Sequence, residues 1–169
     1  MTERREAKTA TGRCFEDFRL GETLRHATPR TLRDGDASLY SALYGTRFAV
    51  QSAETFARGI GYPRAPIDDL LAFHVVFGKT VPDVSINAIA NLGYAACRFR
   101  KAVFPGDTLF AWSEVTDAAP LPGRNDVGAL RLRTVAAKNR PCADFPDREG
   151  GGYEPHVVLD LDYWALLPR

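Results

Sequence analysis

Apolar positions in the first half of the chain recur with the spacing of helices. In the segment TLRDGDASLYSALYG, Leu39 and Leu43 fall on one helical face. The pair Thr31 and Asp34 is typical of a helix start, and Gly45 is typical of a helix end. The pattern therefore predicts one helix that stops at Gly45.

Two more helices are predicted to follow. The segment SAETFARGIG favours a short helix that begins at Ser52. In APIDDLLAFHVVFGKTV, Pro66 suits a first helical turn, and apolar side chains surround the axis, namely Ile67, Leu70, Leu71, Phe73, Val75, Val76 and Phe77. A helix that is apolar on nearly all sides is expected to be buried on nearly all sides.

Strand patterns fill the second half of the chain. The segments DTLFAWSEVT, GALRLRTVAAK and HVVLDLDYWALL alternate in side-chain character, as half-buried antiparallel strands do. Two stretches rich in Pro, Gly, Asn and Asp, TDAAPLPGRNDVG and NRPCADFPDREGGGYEPH, are expected to be loops. A buried helix followed by such strands predicts an α+β fold, a single hot-dog domain in which an antiparallel sheet wraps around a central helix. Residues 1–13 are predicted to be a disordered tail, and residues 14–169 to form this domain.

Composition narrows the function classes. The 169 residues hold 22 Lys and Arg against 21 Asp and Glu, so a net charge of +1 gives no bulk attraction to nucleic acid or to an acidic membrane. The three cysteines lack the spacing of metal ligands, so neither a zinc site nor a disulfide framework is indicated. The polar segment MTERREAKTATGR lacks the apolar run of a secretory signal, which leads us to expect a cytoplasmic protein.

Several segments resemble the MaoC-like dehydratase family. The segment CRFRKAVFPGDTL resembles a strand–turn–strand signature of this family, in which Pro105 and Gly106 supply a tight turn and Asp107 can bond to its own backbone. With FEDFRLGET and the apolar helix, the signature becomes fairly specific. Roughly residues 15 to 116 are similar to the N-terminal half of one branch, the mesaconyl-CoA hydratases or β-methylmalyl-CoA dehydratases. Members of that branch resemble two hot-dog halves in one chain, and this chain has room for one.

The resemblance also identifies where a catalytic pair would lie. An active half of this family carries Gly-Asp-x-Asn-Pro-x-His, and its Asp and His interconvert a trans-enoyl-CoA and an (R)-3-hydroxyacyl-CoA. On that frame Gly45 matches the Gly, while Thr46 replaces the Asp and Gln51 replaces the His. A threonine hydroxyl is far too weak an acid for this work, and a glutamine amide can orient a water without taking its proton, although both make hydrogen bonds. Thr46 and Gln51 are therefore expected to contact substrate or an interface, or only to keep the shape of a lapsed site.

Other side chains could replace the missing pair. Asp68 and Asp69 lie near the start of the apolar helix, where a carboxylate either caps the helix or serves as a base, as in some hot-dog thioesterases. His74 follows Leu70 by about one helical turn and is either a hydrogen-bonded core residue or a base. These three residues are the catalytic candidates of the sequence. No pair of His, Cys or carboxylate residues has ligand spacing, so no metal is predicted.

Substrate contacts are easier to place than catalysis. A CoA thioester carries phosphates, and several cations lie in or beside the family-like segments, namely Arg47, Arg64, Lys79, Arg98, Arg100 and Lys101. In NLGYAACRF, Asn91, Gly93 and Tyr94 allow a ligand to approach the backbone closely. The candidate binding residues are Thr46, Gln51, Asn91, Gly93, Tyr94 and Arg98.

The resemblance implies an enoyl-CoA hydratase or dehydratase component, without a redox cofactor, that binds an acyl-CoA thioester. Because the Asp/His pair is replaced, this component is expected to be a non-catalytic half that needs a partner, either in a homodimer or with a second hot-dog half. Two alternatives stay open: an acyl-CoA-binding structural module without turnover, and a thioesterase that uses Asp68 or Asp69.

Overall fold

Helices occupy the first half of the chain and long strands the second. A computed structural model describes residues 12–45, 48–141 and 152–169. The α-helices and strands of these residues are, in chain order, β1 (Thr23–Arg25), β2 (Arg30–Thr31), α1 (Asp34–Tyr44), α2 (Ala49–Ser52), α3 (Glu54–Gly59), α4 (Asp69–Thr80), β3 (Ala90–Phe99), β4 (Thr108–Pro120), β5 (Val127–Lys138) and β6 (Val157–Pro168). A 3-10 turn (Phe15–Asp17) precedes β1, and a π-helical turn (Val81–Ser85) continues α4.

The strands form one antiparallel sheet. Its order is β1-β4-β5-β6-β3, and β2 pairs with the same edge of β4 as β1 does. The three segments predicted to be strands form β4, β5 and β6, which confirms the alternation read from the sequence. The central strand β5 is buried along most of its length, whereas β3 lies at an edge of the sheet and is mostly exposed.

The apolar helix α4 lies against this sheet. Leu71, Ala72 and Val76 on its inner side are at most 9% exposed and belong to the main core with strand residues such as Leu132. The sheet therefore wraps around a helix, and the predicted α+β hot-dog domain is confirmed. The outer side of α4 differs from the expectation of all-round burial, because Leu70 is 53% exposed within this single chain.

The start of α1 differs from the prediction. Its N-cap is Arg33, and the backbone N–H of Arg33 donates to the Asp36 carboxylate at 2.9 Å. Thr31 does not cap α1, because it lies in β2, where its hydroxyl is 2.7 Å from the hydroxyl of Thr108. The predicted stop is confirmed: Gly45 adopts a left-handed conformation with φ of 65° and donates to the carbonyl of Ser41.

The starts of the next two helices also differ from the prediction. Ser52 ends the four-residue helix α2, and the following helix α3 begins at Glu54 with Ala53 as its N-cap. Helix α4 begins after Pro66, because the Asp68 carboxylate accepts a hydrogen bond from the N–H of Leu70 at 2.8 Å. A side-chain cap thus sets the start of α4, and proline does not.

The segments outside the main elements differ in part from expectation. Of the predicted tail, residues 1–11 lie outside the described residues. Beyond the tail, the ring of Phe15 packs against Gly128 and fills the space that a larger side chain at position 128 would need. Strand β4 extends through Pro120, so part of the first predicted loop is strand. Within the second predicted loop, residues 142–151 lie outside the described residues.

The turn between β3 and β4 is built as its sequence predicts. Gly106 has a φ of 102°, and its N–H donates to the carbonyl of Leu32 at 2.7 Å. The Asp107 carboxylate accepts from the N–H of Phe104 and from Lys138 at 2.9 Å each. Burial alone would raise the pKa of Asp107, but hydrogen bonds from Lys138, Phe104 and Asn139 outweigh it and lower this pKa. These hydrogen bonds fix the backbone of the turn through which the polypeptide leaves β3.

Candidate active site

The segment after α1 brings Gln51 to the interior. Thr46 lies outside the described residues. Phe48 is the N-cap of α2, and its carbonyl accepts from the N–H of Gln51 at 2.9 Å and from the N–H of Ser52 at 3.1 Å. These two backbone hydrogen bonds hold Gln51 in the single turn of α2.

Besides a cavity of about 310 Å³ that it shares with residues of α1 and α3, Gln51 lines a cavity of about 220 Å³ between α2, the start of α4 and the end of β3. Asp69, Tyr62, Arg100 and Lys101 contribute to its wall. Gln51 Oε1 is buried and accepts no hydrogen bond from any residue that the structure describes. A buried acceptor without a partner is unfavourable, so a ligand or a water that donates to it would be stabilised there.

The two neighbouring carboxylates at the start of α4 differ in surroundings. Asp68 faces the backbone and caps the helix through Leu70. Asp69 lines the cavity, and burial, followed by the charge of Asp68, raises its pKa. A carboxyl group with a raised pKa is better suited to proton transfer near neutral pH than an ordinary one. Of the two, Asp69 is the one with access to the cavity.

His74 lies outside this cavity. Its side chain is exposed on the outer side of α4, and its Nδ1 is 3.3 Å from the hydroxyl of Tyr40. The ring also contacts Phe73, with 5.4 Å between ring centroids. Burial, followed by the charges of Asp68 and Tyr44, raises the pKa of Tyr40, so this hydroxyl keeps its proton. Among the described residues, His74 lines a different cavity from those that Gln51 lines.

The candidate binding residues of β3 lie along an edge strand. Asn91 and Gly93 flank an irregularity in the pairing of β3 with β6. Tyr94 packs its ring against Phe73 of α4, with 5.5 Å between centroids, and is 49% exposed. Arg98 is exposed and stands opposite Asp160 of β6 in the register. These four residues are not among those that line the Gln51 cavity.

Sequence reasoning missed part of the cavity wall. Tyr62, Phe99 and Val50 line the cavity and were not singled out. The segment that contains Arg100 and Lys101 was singled out, because its charges stand next to a family-like turn. The wall is fixed from both sides: the N–H of Arg100 donates to Val158 at 2.8 Å, and Lys138 donates to the carbonyl of Ala102 at 2.6 Å.

The described part of the chain contains no group of three or more His, Cys, Asp or Glu residues arranged to hold a metal ion. None of its helices combines the length and the apolar character that a membrane crossing requires.

The sequence matches a family model and curated proteins. The family model described as mesaconyl-CoA hydratase matches residues 1–144. A β-methylmalyl-CoA dehydratase from Chloroflexus aurantiacus is 63% identical over an alignment of 348 residues that covers 96% of this chain and 99% of that protein. A mesaconyl-CoA hydratase from Cereibacter sphaeroides is 62% identical over 108 residues, which are 64% of this chain and 32% of that protein. The first alignment is about twice as long as this chain of 169 residues, and the second spans about a third of its relative.

Solved structures show the same architecture. A MaoC domain protein dehydratase from Chloroflexus aurantiacus, described as putative, matches with a TM-score of 0.58 at 30% identity and covers 97% of this chain and 99% of its own. A conserved hypothetical protein from Mycobacterium tuberculosis with a double hot-dog fold matches with a TM-score of 0.75 at 27% identity. That match covers 93% of this chain and 44% of the double protein, so this chain corresponds to about one of its two halves.

Proposed function

The chain belongs to the mesaconyl-CoA hydratase family, within the MaoC-like hot-dog proteins, and from this premise we propose that it is an enoyl-CoA hydratase or dehydratase component that binds an acyl-CoA thioester. The observation that carries the proposal is the cavity of about 220 Å³ lined by Gln51, a residue whose buried Oε1 has no hydrogen-bond partner among the described residues. Gln51 stands where the family frame has its catalytic histidine. The cavity thus keeps a polar group at the position of the lost catalytic residue.

The wall of the cavity offers what a thioester needs for binding. The amide of Gln51 has both a donor and an acceptor, so it can hold a thioester carbonyl or a water beside it. Arg100 and Lys101 at the opening supply positive charge for the phosphates of CoA. The amide of Gln51 can orient a water but cannot take its proton during hydration. This half is therefore assigned to binding.

The acid–base pair is assigned to a second hot-dog half. In hydration the oxygen of water bonds to one alkene carbon, and the carbon next to the thioester carbonyl gains a proton. A partner half with an intact Asp and His would supply both proton transfers. Asp69 is the group in this chain that is best placed to contribute, because it lines the cavity and burial raises its pKa.

The outer side of the helices supports pairing. Large apolar side chains on α1, at Phe48 and on α4 are between 53% and 73% exposed, namely Leu39, Leu43, Tyr44, Phe48 and Leu70. We call this set the α1–α4 apolar face. Exposed apolar surface of this kind marks protein interfaces. In the part of the chain that the structure describes, no strand pairs with the outer side of the edge strand β3, so another sheet can add there.

The test measures binding and turnover together. Mesaconyl-CoA and simple enoyl-CoA esters are incubated with the purified chain in isotopically heavy water, and the products are followed by mass spectrometry beside calorimetric titration. We expect ester binding without turnover, and binding about tenfold weaker in Gln51→Leu because a buried hydrogen bond of roughly 1.4 kcal/mol is lost. The same ester should gain label when a second half with an intact Asp and His is added.

Three other results would each change the assignment of this half to binding. Labelled hydroxyacyl-CoA from the isolated chain, lost in Asp69→Asn and kept in the matched exposed variant Asp117→Asn, would place the acid–base step in this half and contradict the need for a partner. Release of free CoA thiol would favour the thioesterase that the position of Asp69 at the start of α4 allows. Absence of ester binding at any concentration would overturn the proposal.

A further inference from the structure

A second cavity lies on the other side of α4. It measures about 380 Å³ and is formed by the connection between β1 and β2 and by the second half of α4. Thr28, Arg30, His74, Lys79 and Pro82 contribute to its wall, and no described carboxylate lines it. Two of these five side chains, Arg30 and Lys79, are cations. The cavity therefore presents positive charge without a lining residue that neutralises it.

Lys79 is the central group of this cavity. Its ammonium donates to the backbone carbonyl of Thr28, and among the described residues it forms no ion pair with a carboxylate. Burial, followed by the nearby charge of Arg30, lowers the pKa of Lys79. A partly buried ammonium with only a carbonyl partner is unfavourable, and an incoming anion would relieve that cost.

Arg30 adds charge at the edge of the cavity. Its guanidinium lies 2.9 Å from the Asp36 carboxylate, which offsets part of the charge and fixes the side chain. The side chain of Arg30 is 55% exposed, so it stands near the opening. Arg30 and Lys79 thus lie at different depths of the same cavity.

The two walls of the cavity are held together before any ligand arrives. His26 lies two residues before Thr28, and its Nδ1 is 2.9 Å from the carboxylate of Asp83, the neighbour of Pro82. Its Nε2 is 2.7 Å from the hydroxyl of Ser113 in β4. The side chain of His26 is fully buried, so this link is shielded from water. A cavity with fixed walls binds a small ligand without the cost of ordering them.

We propose that this cavity is an oxyanion-binding site in which Lys79 is the charge partner of a phosphate or carboxylate group. The site itself follows from the described residues, and only the source of the oxyanion rests on the proposed function. An acyl-CoA offers two sources, since CoA carries phosphates and a dicarboxylic acyl group carries a free carboxylate. Both have the size and the charge that a lysine and an arginine can bind.

The test titrates inorganic pyrophosphate into the chain by calorimetry at constant ionic strength. We expect Lys79→Gln to weaken binding at least about tenfold, which is the loss of about 1.4 kcal/mol. Lys79→Arg should restore most of the affinity, because it keeps the charge. Arg124→Gln, which removes one exposed cation between β4 and β5, should leave the affinity unchanged. Thermal unfolding of each variant shows that the fold persists.

The source is separated by repeating the titration with CoA and with fumarate. Weakening of CoA binding by Lys79→Gln would identify a phosphate, and weakening of fumarate binding alone would identify a carboxylate. Equal binding of all three probes by folded Lys79→Gln and by the unchanged chain overturns the inference, even if acyl-CoA binds at Gln51. Pyrophosphate binding that depends on Lys79, without any binding of acyl-CoA, would support this site and contradict the proposed function.

Discussion

Asp69 is held where its charge is disfavoured. Burial, followed by the charge of Asp68, raises its pKa in the folded protein above the unfolded value of about 3.9. The folded state therefore holds this proton more tightly than the unfolded state does. The associated stability is fully present below the unfolded pKa and is lost as the pH rises through the folded pKa. At neutral pH the charge of Asp69 destabilises the fold.

Asp69→Asn should consequently stabilise the protein at neutral pH. The substitution keeps the shape of the side chain and removes its charge, so we expect the midpoint of thermal unfolding at pH 7.5 to rise by about 2 °C or more, which corresponds to roughly 0.5–1 kcal/mol for a chain of this size. Toward about pH 3 the difference should become small, because the carboxyl is then mostly protonated in both states. Thermal unfolding of Asp69→Asn and of the unchanged chain from pH 3 to pH 8 measures this difference in midpoint.

The control for this prediction is the same substitution on an exposed carboxylate of β4. Asp117→Asn should shift the midpoint little at any pH, because a surface charge contributes little. An Asp69→Asn midpoint equal to or below that of the unchanged chain at pH 7.5 would show that the carboxylate is stabilised by its surroundings. The alternative in which Asp69 takes part in acid–base chemistry would then lose its physical basis.

Only some of the individual site residues can be found from the sequence. The family frame directed attention to Gln51, because the spacing from Gly45 is retained. The sequence could not separate Asp68 from Asp69, since adjacent residues in a first helical turn point in directions about 100° apart and only packing decides which one faces a cavity. Arg30 and Lys79 are 49 positions apart in the chain, so no local pattern relates them.

At the scale of elements, a buried polar chain links β1 to the centre of the sheet. His26 follows β1 and contacts Asp83 after α4 and Ser113 in β4. Ser113 in turn lies 2.7 Å from the hydroxyl of Thr134 in β5. The order Asp83, His26 and Ser113 resembles that of a hydrolase triad. Ser113 is fully buried, so no substrate reaches its hydroxyl. These hydrogen-bonded side chains therefore serve to hold β1, β4 and β5 together.

Ser113→Ala should therefore destabilise the fold and leave binding and turnover unaffected. The change removes two hydrogen bonds and leaves polar atoms of His26 and Thr134 buried without this partner, at a cost of about 1–3 kcal/mol. We expect the midpoint of thermal unfolding to fall by about 3–10 °C. Thr116→Ala, at an exposed position of the same strand, should change it by no more than about 1–2 °C.

A reagent test separates the structural interpretation of Ser113 from a catalytic one. A serine-directed fluorophosphonate should not label the folded protein, because the hydroxyl of Ser113 is inaccessible to it. Labelling of the unchanged chain that disappears in folded Ser113→Ala would contradict the structural interpretation. It would also require an opening that exposes β4.

Long elements followed from the sequence and short ones did not. The alternation in β4, β5 and β6 extends over many residues, so it predicted these strands. Helix α2 has four residues, which is too short for any periodicity, and its presence moved the start of the next helix away from Ser52. The exposed edge strand β3 lacks an alternating burial pattern, so only its family-like end was recognised.

For the whole molecule, the α1–α4 apolar face is the feature that the single domain leaves unexplained. Leu43 is 67% exposed and Leu70 is 53% exposed, although both residues have the helical spacing of a core face. The sequence predicted the apolar character of α4 but not which side the chain itself would cover. The double hot-dog relative covers 93% of this chain with less than half of its own length. A second half seated on the α1–α4 apolar face would bury the remaining side of α4.

Pairing through the α1–α4 apolar face can be tested with the chain alone. Without a separate partner half, two copies of the chain should associate through the α1–α4 apolar face, so light scattering during size exclusion should give a mass near twice 18.6 kDa. The double variant Leu43→Gln with Leu70→Gln should shift the protein to the mass of one chain, because two central apolar contacts are replaced by polar groups. Leu20→Gln, at a 71% exposed leucine before β1, should keep the larger mass. A single-chain mass for the unchanged protein at all concentrations, together with no binding of an intact MaoC-like half, would rule out this face as the pairing surface.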